Sequence, residues 1–208
     1  MLTPNQIEVF DAFLRRPYKE LTYKEVKEYS KQNSNSVVQN AIAAFLTNGL
    51  VTKKEVGNVL VYSLNLENTT IFSYGDILLK EKFSTPVKIT LRRIMQELSD
   101  VPFISIVIFG SYAEWKQTEK SDLDVAILVN SKKDKRSCQL SMKSAELKTL
   151  LRVDAHVITK AEFLQMLKDK YENLGKQIAR KHLAVHNPAI FYSIMKRGSD
   201  DGFKIVYS

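Results

Sequence analysis

Three aspartates in the second half of the sequence are spaced so that they could share a metal ion. Asp122 and Asp124 are two residues apart at the start of an apolar run, and residues two apart in a strand share a face. Adjacent like charges require a compensating cation, and hard oxygen ligands select Mg²⁺. Asp154 lies in a later alternating segment, 152–158. If the two strands are neighbours, a three-acid cluster results that can hold metal ions and orient an attacking hydroxyl.

A glycine and a serine stand where a phosphate group could be bound. The apolar run 104–109 predicts a strand buried on both faces, and Gly110 and Ser111 follow it directly. We expect this pair to begin a short helix, whose first N–H groups are free to donate. Glycine lets the backbone approach a ligand closely, and the serine hydroxyl adds a donor.

Other polar groups have both a functional and a structural interpretation. His156 shares a face with Asp154, although a histidine in a strand is more often structural. A basic cluster after Gly175 either contacts phosphate or nucleic acid, or forms a solvated face; it comprises Lys176, Arg180 and Lys181. Trp115 either stacks on a base or packs in the interior. Residues 132–136 are predicted to be an exposed, mobile loop before a helix that begins near Gln139.

The elements around these residues indicate an α+β protein of two domains. Residues 1–67 predict three helices and a hairpin, with capping signals at Thr22 and Ser36. Gly57 and Asn58 form the turn between two β-branched segments. Residues 68–85 are predicted to be a connector, and residues 86–208 a second domain of alternating strands and helices. Its first helix starts at Thr85-Pro86, because proline suits a first helical turn.

The second domain resembles the polymerase beta-type nucleotidyltransferase superfamily, and its minimal members most of all. The resemblance rests on Gly110-Ser111, on the Asp-x-Asp pair ten residues later, and on Asp154 in a later strand. It implies a small mixed β-sheet flanked by helices. It also implies an enzyme that transfers a nucleoside monophosphate from a nucleoside triphosphate to a hydroxyl group.

The resemblance assigns roles to individual positions. Gly110 and Ser111 would bind the triphosphate; Asp122, Asp124 and Asp154 would hold Mg²⁺ or Mn²⁺, and Asp154 could instead act as a general base. Many members carry a basic group shortly after the Gly-Ser pair, where this sequence has Glu114. Lys116 or Lys120 would then supply the positive charge.

Residues 1–67 resemble the winged helix-turn-helix domains of prokaryotic transcription regulators. In that family the third helix enters the major groove of double-stranded DNA. Candidate DNA-binding residues are Asn33, Ser34, Asn35, Ser36, Gln39, Asn40, Lys53 and Lys54. Such a domain can instead serve dimerisation or docking.

Composition sets limits on these interpretations. The 208 residues have a formal net charge of +8, which favours an anionic partner. Residues 1–70 hold eight Lys and Arg against seven Asp and Glu, and the remainder hold 23 against 16. The basic excess therefore lies in the second domain. The single cysteine, Cys138, fits a reducing compartment such as the cytoplasm, and no apolar run is long enough to span a bilayer.

The sequence thus predicts an Mg²⁺-dependent nucleotidyltransferase that moves AMP from ATP to a hydroxyl group. The sequence does not identify the molecule that carries this hydroxyl. The alternative is a DNA-binding regulator or antitoxin whose second domain senses nucleotide or modifies a partner protein such as a toxin. No membrane partner is expected, and a homodimer is compatible with either interpretation.

Overall fold

The computed structural model describes residues 1–205, which divide into two compact units. The first unit comprises residues 1–82 and the second begins at residue 83. The predicted end of the second domain, residue 208, lies outside the described residues. None of the helices within residues 1–205 is long and apolar enough to cross a membrane. The mixture of helices and two small sheets agrees with the predicted α+β class.

The first unit packs four helices against a three-stranded antiparallel sheet with strand order β1-β3-β2. Its elements are α1 (Pro4–Leu14), β1 (Leu21–Thr22), α2 (Tyr23–Tyr29), α3 (Asn35–Thr47), β2 (Val51–Val56), β3 (Val59–Leu64) and α4 (Thr70–Lys82). Aromatic rings form its centre: Phe10 lies 5.0 Å from Phe45 and 5.9 Å from Tyr74, measured between ring centroids. The predicted hairpin is confirmed, and the turn at Gly57 has φ +60°.

Helix α4 occupies most of residues 68–85, the segment predicted to be a connector. Its Ile71 and Tyr74 belong to the core of the first unit. The hydroxyl of Tyr74 accepts a hydrogen bond from the backbone N–H of Leu2 at 3.1 Å. These contacts attach α4 to the first unit rather than leaving it as a free linker.

Two local predictions about helix starts have different outcomes. Thr22 caps α2 as predicted, because its hydroxyl accepts from the N–H of Glu25 while the Glu25 carboxylate accepts from the N–H of Thr22. Ser36 was the wrong cap for α3. The hydroxyl of Ser34 accepts from Val37 N–H instead, so α3 begins at Asn35.

The second unit contains a four-stranded mixed sheet with strand order β6-β5-β4-β7. Its elements are α5 (Thr85–Glu97), β4 (Ser105–Ile108), α6 (Gly110–Ala113), β5 (Leu123–Val129), α7 (Lys132–Glu146), β6 (Val153–Thr159), α8 (Lys160–Lys168), α9 (Leu174–Arg180), β7 (Leu183–His186) and α10 (Pro188–Asp200). Strand β4 runs antiparallel to β5 and β7, and β5 runs parallel to β6. The predicted helix start at Thr85-Pro86 is confirmed.

The charged stretch 132–136 is not a loop, because it forms the first turns of α7. The hydroxyl of Ser131 accepts from the N–H of Asp134, and the Asp134 carboxylate accepts from the N–H of Ser131. This reciprocal cap starts the helix at Lys132, seven residues before the predicted start at Gln139. The buried face of α7 follows helical spacing through Cys138, Met142 and Ala145.

Helices cover the two faces of this sheet unequally. Helix α7 lies beside Ala155 and Val157, which occupy one face of β6. Helix α10 lies beside Leu128, which occupies the opposite face of β5. Because side chains alternate along a strand, the face of Leu128 is also the face of Asp124. Helix α10 therefore lies beside the C-terminal part of that face, and Asp124 lies at its start.

Candidate active site

Asp124 and Asp154 oppose each other at the start of two parallel strands. Asp124 is the second residue of β5, Asp154 is the second residue of β6, and the two are register partners. Opposed residues in adjacent strands present their side chains on the same face of a sheet. Strands β5 and β6 are therefore neighbours, which is the condition on which the expected cluster of acids depended. The in-register pairing brings two carboxylates to one place.

The surroundings of Asp124 oppose its ionisation. Burial raises the pKa of its carboxyl above the ordinary value of 3.8, and the nearby charges of Asp154 and Asp122 raise it further. The imidazole of His156 acts in the opposite direction. Structural carboxylates are normally given hydrogen-bond donors or counter-charges, so an acid held against its own ionisation indicates a functional position. A bound cation would remove this cost.

The other two aspartates each have a basic neighbour. Asp122 Oδ1 lies 3.5 Å from Arg152 Nε, and Asp154 Oδ2 lies 3.3 Å from His156 Nε2. Within residues 1–205, no three His, Cys, Asp or Glu side chains are placed as a metal-ligand set. The chemistry of the donors nevertheless suits a hard cation, because the carboxylates of Asp154 and Asp122 lie close enough to Asp124 to act on its charge. The basic neighbours of these two acids are a half-exposed histidine and an exposed arginine.

Gly110 approaches Asp124 so closely that a side chain at this position would displace the carboxylate. The predicted short helix, α6, begins at Gly110, whose φ is +65°. A Cβ on Gly110 would lie 2.0 Å from Asp124 Oδ2, so the Asp124 side chain would have to move. The N–H of Phe109 donates to the carbonyl oxygen of Asp124 at 3.1 Å. The backbone at residues 109–110 is thus held against Asp124, with Ser111 half-buried beside it.

Residues 89–184 match the family model of the polymerase beta nucleotidyltransferase domain. The matched segment contains the Gly-Ser pair and all three aspartates. The match supports the superfamily that these residues resemble and a nucleotidyltransferase activity in general. No curated protein matches the sequence significantly.

Within the matched segment, the acidic residue at position 114 is paired with a lysine that is distant in the sequence. Lys181 Nζ lies 2.5 Å from Glu114 Oε1, and Lys116 Nζ lies 3.4 Å from the same oxygen. The hydrogen bond from Lys181 lowers the pKa of the Glu114 carboxyl, so the group is ionised at neutral pH. Both predicted phosphate-binding lysines, Lys116 and Lys120, are exposed. Lys116 interacts with Glu114.

The basic residues in and directly after α9 form hydrogen bonds and ion pairs with neighbouring residues. Lys176 Nζ donates to the carbonyl oxygens of Asp169 and Tyr171. Arg180 makes two hydrogen bonds to the carboxylate of Glu172, at 2.9 and 2.7 Å. Together with the pairing of Lys181, these contacts favour the structural interpretation of the cluster.

Trp115 and His156 both contact aromatic rings. The Trp115 ring lies 5.4 Å from Phe83, which favours packing over base stacking for this residue. The His156 ring lies 5.7 Å from Phe109, the residue that precedes Gly110. The histidine therefore touches two parts of the candidate site, Asp154 and the segment before α6.

The candidate DNA-binding residues of the first unit are all exposed. Those on α3 surround its N-terminus, where Ser34 and Ser36 share a hydrogen bond of 2.9 Å and Asn35 Oδ1 accepts from Lys27 Nζ at 2.6 Å. Lys53 and Lys54 are adjacent in β2 and so point to opposite faces. Lys54 Nζ lies 3.1 Å from Glu20 Oε1. The two lysines therefore cannot act alike on one ligand.

Sequence reasoning did not identify Arg152 as a neighbour of Asp122, and it placed Lys181 in the basic cluster without its pairing to Glu114. Arg152 lies two residues before Asp154, so strand alternation places it on the face of the aspartates, and this signal was available. Lys181 is separated from Glu114 by 67 positions. Only the folded arrangement of α6 and α9 reveals that pairing.

Proposed function

We propose that the second unit is an Mg²⁺-dependent nucleotidyltransferase that moves AMP from ATP to a hydroxyl acceptor. The observation that carries the proposal is the in-register pair of Asp124 and Asp154 against the backbone of Gly110. Two carboxylates beside a closely packed glycine are the groups needed to bring a triphosphate and a divalent cation together.

The residues of the candidate site would have different roles in this reaction. Asp122, Asp124 and Asp154 would hold the cation, Mg²⁺ or Mn²⁺, which neutralises charge on the triphosphate. The Gly110 backbone and the Ser111 hydroxyl would donate to phosphate oxygens, and Lys120 would add positive charge. Asp154 is the most exposed of the three aspartates. It is therefore best placed to accept a proton from, or to orient, an incoming hydroxyl group.

The proposal is tested with ATP that carries radioactive phosphorus in either its α- or its γ-phosphate. The label that reaches the acceptor is then measured. Nucleotidyl transfer moves the α label to the acceptor and releases the γ label as pyrophosphate, whereas phosphoryl transfer moves the γ label. Incubation with cell extract and Mg²⁺ supplies the unidentified acceptor. We expect acceptor labelling from α-labelled ATP only.

Variants connect that activity to the site. Asp122→Asn with Asp124→Asn should abolish Mg²⁺-dependent ATP binding, and Asp154→Asn should reduce transfer by about 10²-fold or more while affecting binding less. Asp100→Asn changes an exposed aspartate of the same unit and serves as the control. Unchanged Mg²⁺–ATP titration in the double variant would exclude this assignment of the site.

We further propose that the first unit is a winged helix that binds double-stranded DNA. The order of three helices followed by a hairpin, and a short strand β1 that pairs with β3, support this architecture. The exposed polar groups at the start of α3 suit contacts with phosphates and base edges. The near-neutral charge of residues 1–70 limits the expected strength of such binding.

The DNA proposal is tested on the full chain by titration of duplex DNA at several salt concentrations. Affinity should fall with salt, and loss of one phosphate-binding lysine should reduce the salt slope by about 1. Because Lys54 is paired with Glu20 and Lys53 points to the other face, Lys53→Ala and Lys54→Ala should differ in effect. Absence of duplex binding at low salt would favour a docking role for this unit.

A further inference from the structure

Strand β6 presents an unprotected edge. Within residues 1–205, β6 lies at one end of the strand order and pairs only with β5. It is seven residues long, whereas β7 at the opposite edge has four residues and a register shift against β4. Proteins usually shorten, bulge or cover exposed strand edges. A long regular edge is a surface to which another strand can add.

The backbone groups on that edge can be identified. The N–H of Leu123 donates to the carbonyl oxygen of Arg152 at 2.9 Å, so the backbone of Arg152 is directed toward β5. Backbone groups of successive strand residues alternate between the two sides. Asp154 and His156 are therefore also directed toward β5. The N–H and C=O groups of Val153, Ala155 and Val157 are directed outward.

We propose that two copies of this chain join through β6, antiparallel, about a two-fold axis at Ala155. The sequence Val-Asp-Ala-His-Val, residues 153–157, is self-complementary in this register. Ala155 opposes Ala155 of the partner subunit in a hydrogen-bonded pair. Val153 opposes Val157 of the partner subunit, so the outward backbone groups of all three positions are satisfied. The four-stranded sheets of the two copies thereby become one continuous sheet.

Donor–acceptor complementarity favours a second copy over an unrelated strand. In the same register Asp154 opposes His156 of the partner subunit, in the closer, non-hydrogen-bonded type of pair with Cα atoms about 4.5 Å apart. An imidazole N–H can donate to a carboxylate oxygen, whereas like charges placed opposite each other destabilise a sheet. A shift of the register by two residues would lose this match.

The surface beside β6 is open, as such a contact requires. A groove of about 620 Å³ lies between α7 and β6, and Leu140 on its rim is 69% exposed. The two-fold axis is perpendicular to the sheet, so both grooves lie on one face and meet across the axis. Leu140 of each copy would then be withdrawn from water.

The pairing adds a residue to the candidate site. His156 of the partner subunit would lie beside Asp154, on the face that carries the aspartates. Its importance for catalysis rests on the proposed nucleotidyltransferase function, but the dimer itself does not. The tests below therefore contain no nucleotide, and their outcome is independent of any activity measurement.

Cysteine substitution tests the axis directly. Ala155→Cys would place two thiols across the axis with Cα atoms about 5.5 Å apart, within the range of a disulfide. Val153→Cys is the matched control, because two copies of residue 153 would be about 14 Å apart. The native Cys138 is buried, and burial raises the pKa of its thiol to about 12, which keeps it unreactive. Mild oxidation should cross-link the first variant and not the second; equal cross-linking, or none, overturns the proposal.

Molar mass measured by light scattering tests the cross-strand pairing of Asp154 with His156. The wild-type protein should be dimeric at micromolar concentration. His156→Asp, which places two acids opposite each other, should raise the dimer dissociation constant at least tenfold. The exchange Asp154→His with His156→Asp restores the aspartate–histidine pair and should restore the dimer. A monomeric wild type, or an exchange variant no tighter than His156→Asp alone, contradicts pairing at this register.

Discussion

At the C-terminal end of β6, the carboxylate of Glu162 accepts two hydrogen bonds from Lys135 and one from the N–H of Thr159, each of 2.8 Å. At the start of the same strand pair, Asp124 faces Asp154 as a like charge. The hydrogen bond from Lys135, and next that from the Thr159 backbone, lower the pKa of the Glu162 carboxyl to about 2. Burial and the neighbouring acids raise the pKa of Asp124.

The difference between these two ends separates structural acids from functional ones. Glu162 lowers the free energy of the folded state, since its partners bind the charged form. Asp124 raises it, and its carboxylate is retained at a cost to stability. Such costs are characteristic of active sites, where residues are placed for a ligand rather than for the fold.

The largest expected effect comes from closing the space beside Asp124. Gly110→Ala places a Cβ against Asp124 Oδ2 and forces alanine to adopt φ +65°. We expect loss of Mg²⁺–ATP binding and a reduction of transfer by about 10²-fold or more, since misplaced groups at a reacting centre are costly.

Gly57→Ala is the control for backbone strain in that experiment. Gly57 has φ +60°, and no atom lies within 4 Å of the place that an alanine Cβ would take, so it should show only the left-handed penalty of about 1–2 kcal/mol. The measurements are ATP titration and thermal unfolding. If Gly110→Ala retained wild-type binding, the close approach of Gly110 to Asp124 would have no role in the site.

A smaller effect is expected at the stabilised end of the strand pair. Glu162→Gln keeps the shape of the α8 cap but removes the charge bound by Lys135. Because the Glu162 side chain is 37% exposed, water screens the pair, and the loss should be about 0.5–1 kcal/mol at neutral pH. The pKa of Glu162 is lowered on folding, so its contribution is present above about pH 4.5 and is lost as the pH falls toward 2.

Urea unfolding at several pH values measures this contribution. The variant should approach the wild type as the pH is lowered. Glu119→Gln, at an exposed position of the same unit, should change little. Equal stability of the Glu162 and Glu119 variants at pH 7 would show that the Lys135 pair adds nothing to the fold.

The site was more predictable from sequence than its supports, for physical reasons. Strand alternation and the apolar runs were enough to place Asp124 and Asp154 at the starts of two strands, because each pattern depends on residues close in sequence. The pairing of those strands, which brings the two aspartates together, is a long-range contact. The cap of α3 was misplaced because Ser34 and Ser36 carry the same hydroxyl, and local rules do not distinguish them. The pairing of Lys181 with Glu114 joins elements far apart in the chain, and no local pattern encodes it.

The start of α7 shows a different kind of failure. Residues 132–136 are so rich in charge that they suggested a loop, yet Ser131 and Asp134 form a reciprocal cap. The apolar positions Cys138 and Met142 already had helical spacing. Capping chemistry, and not the local density of charge, decides where this helix begins.

The smallest expected effect is a gain in stability, whereas the other substitutions reduce stability or activity. It tests most directly whether Asp124 and Glu162 differ in their contribution to the fold. Asp124→Asn should stabilise the protein near neutral pH, because it removes the charge that burial, Asp154 and Asp122 disfavour. A carboxyl whose pKa is raised on folding contributes stability below its unfolded pKa and loses it as the pH rises through the folded pKa. The gain should therefore be absent below about pH 3.8 and present at pH 7. Partial exposure should keep it below about 1 kcal/mol. Thermal unfolding across this range, with Asp100→Asn as the control, measures it. A variant that is less stable than the wild type at pH 7 would make Asp124 a structural acid like Glu162, and the two ends of the strand pair would no longer differ.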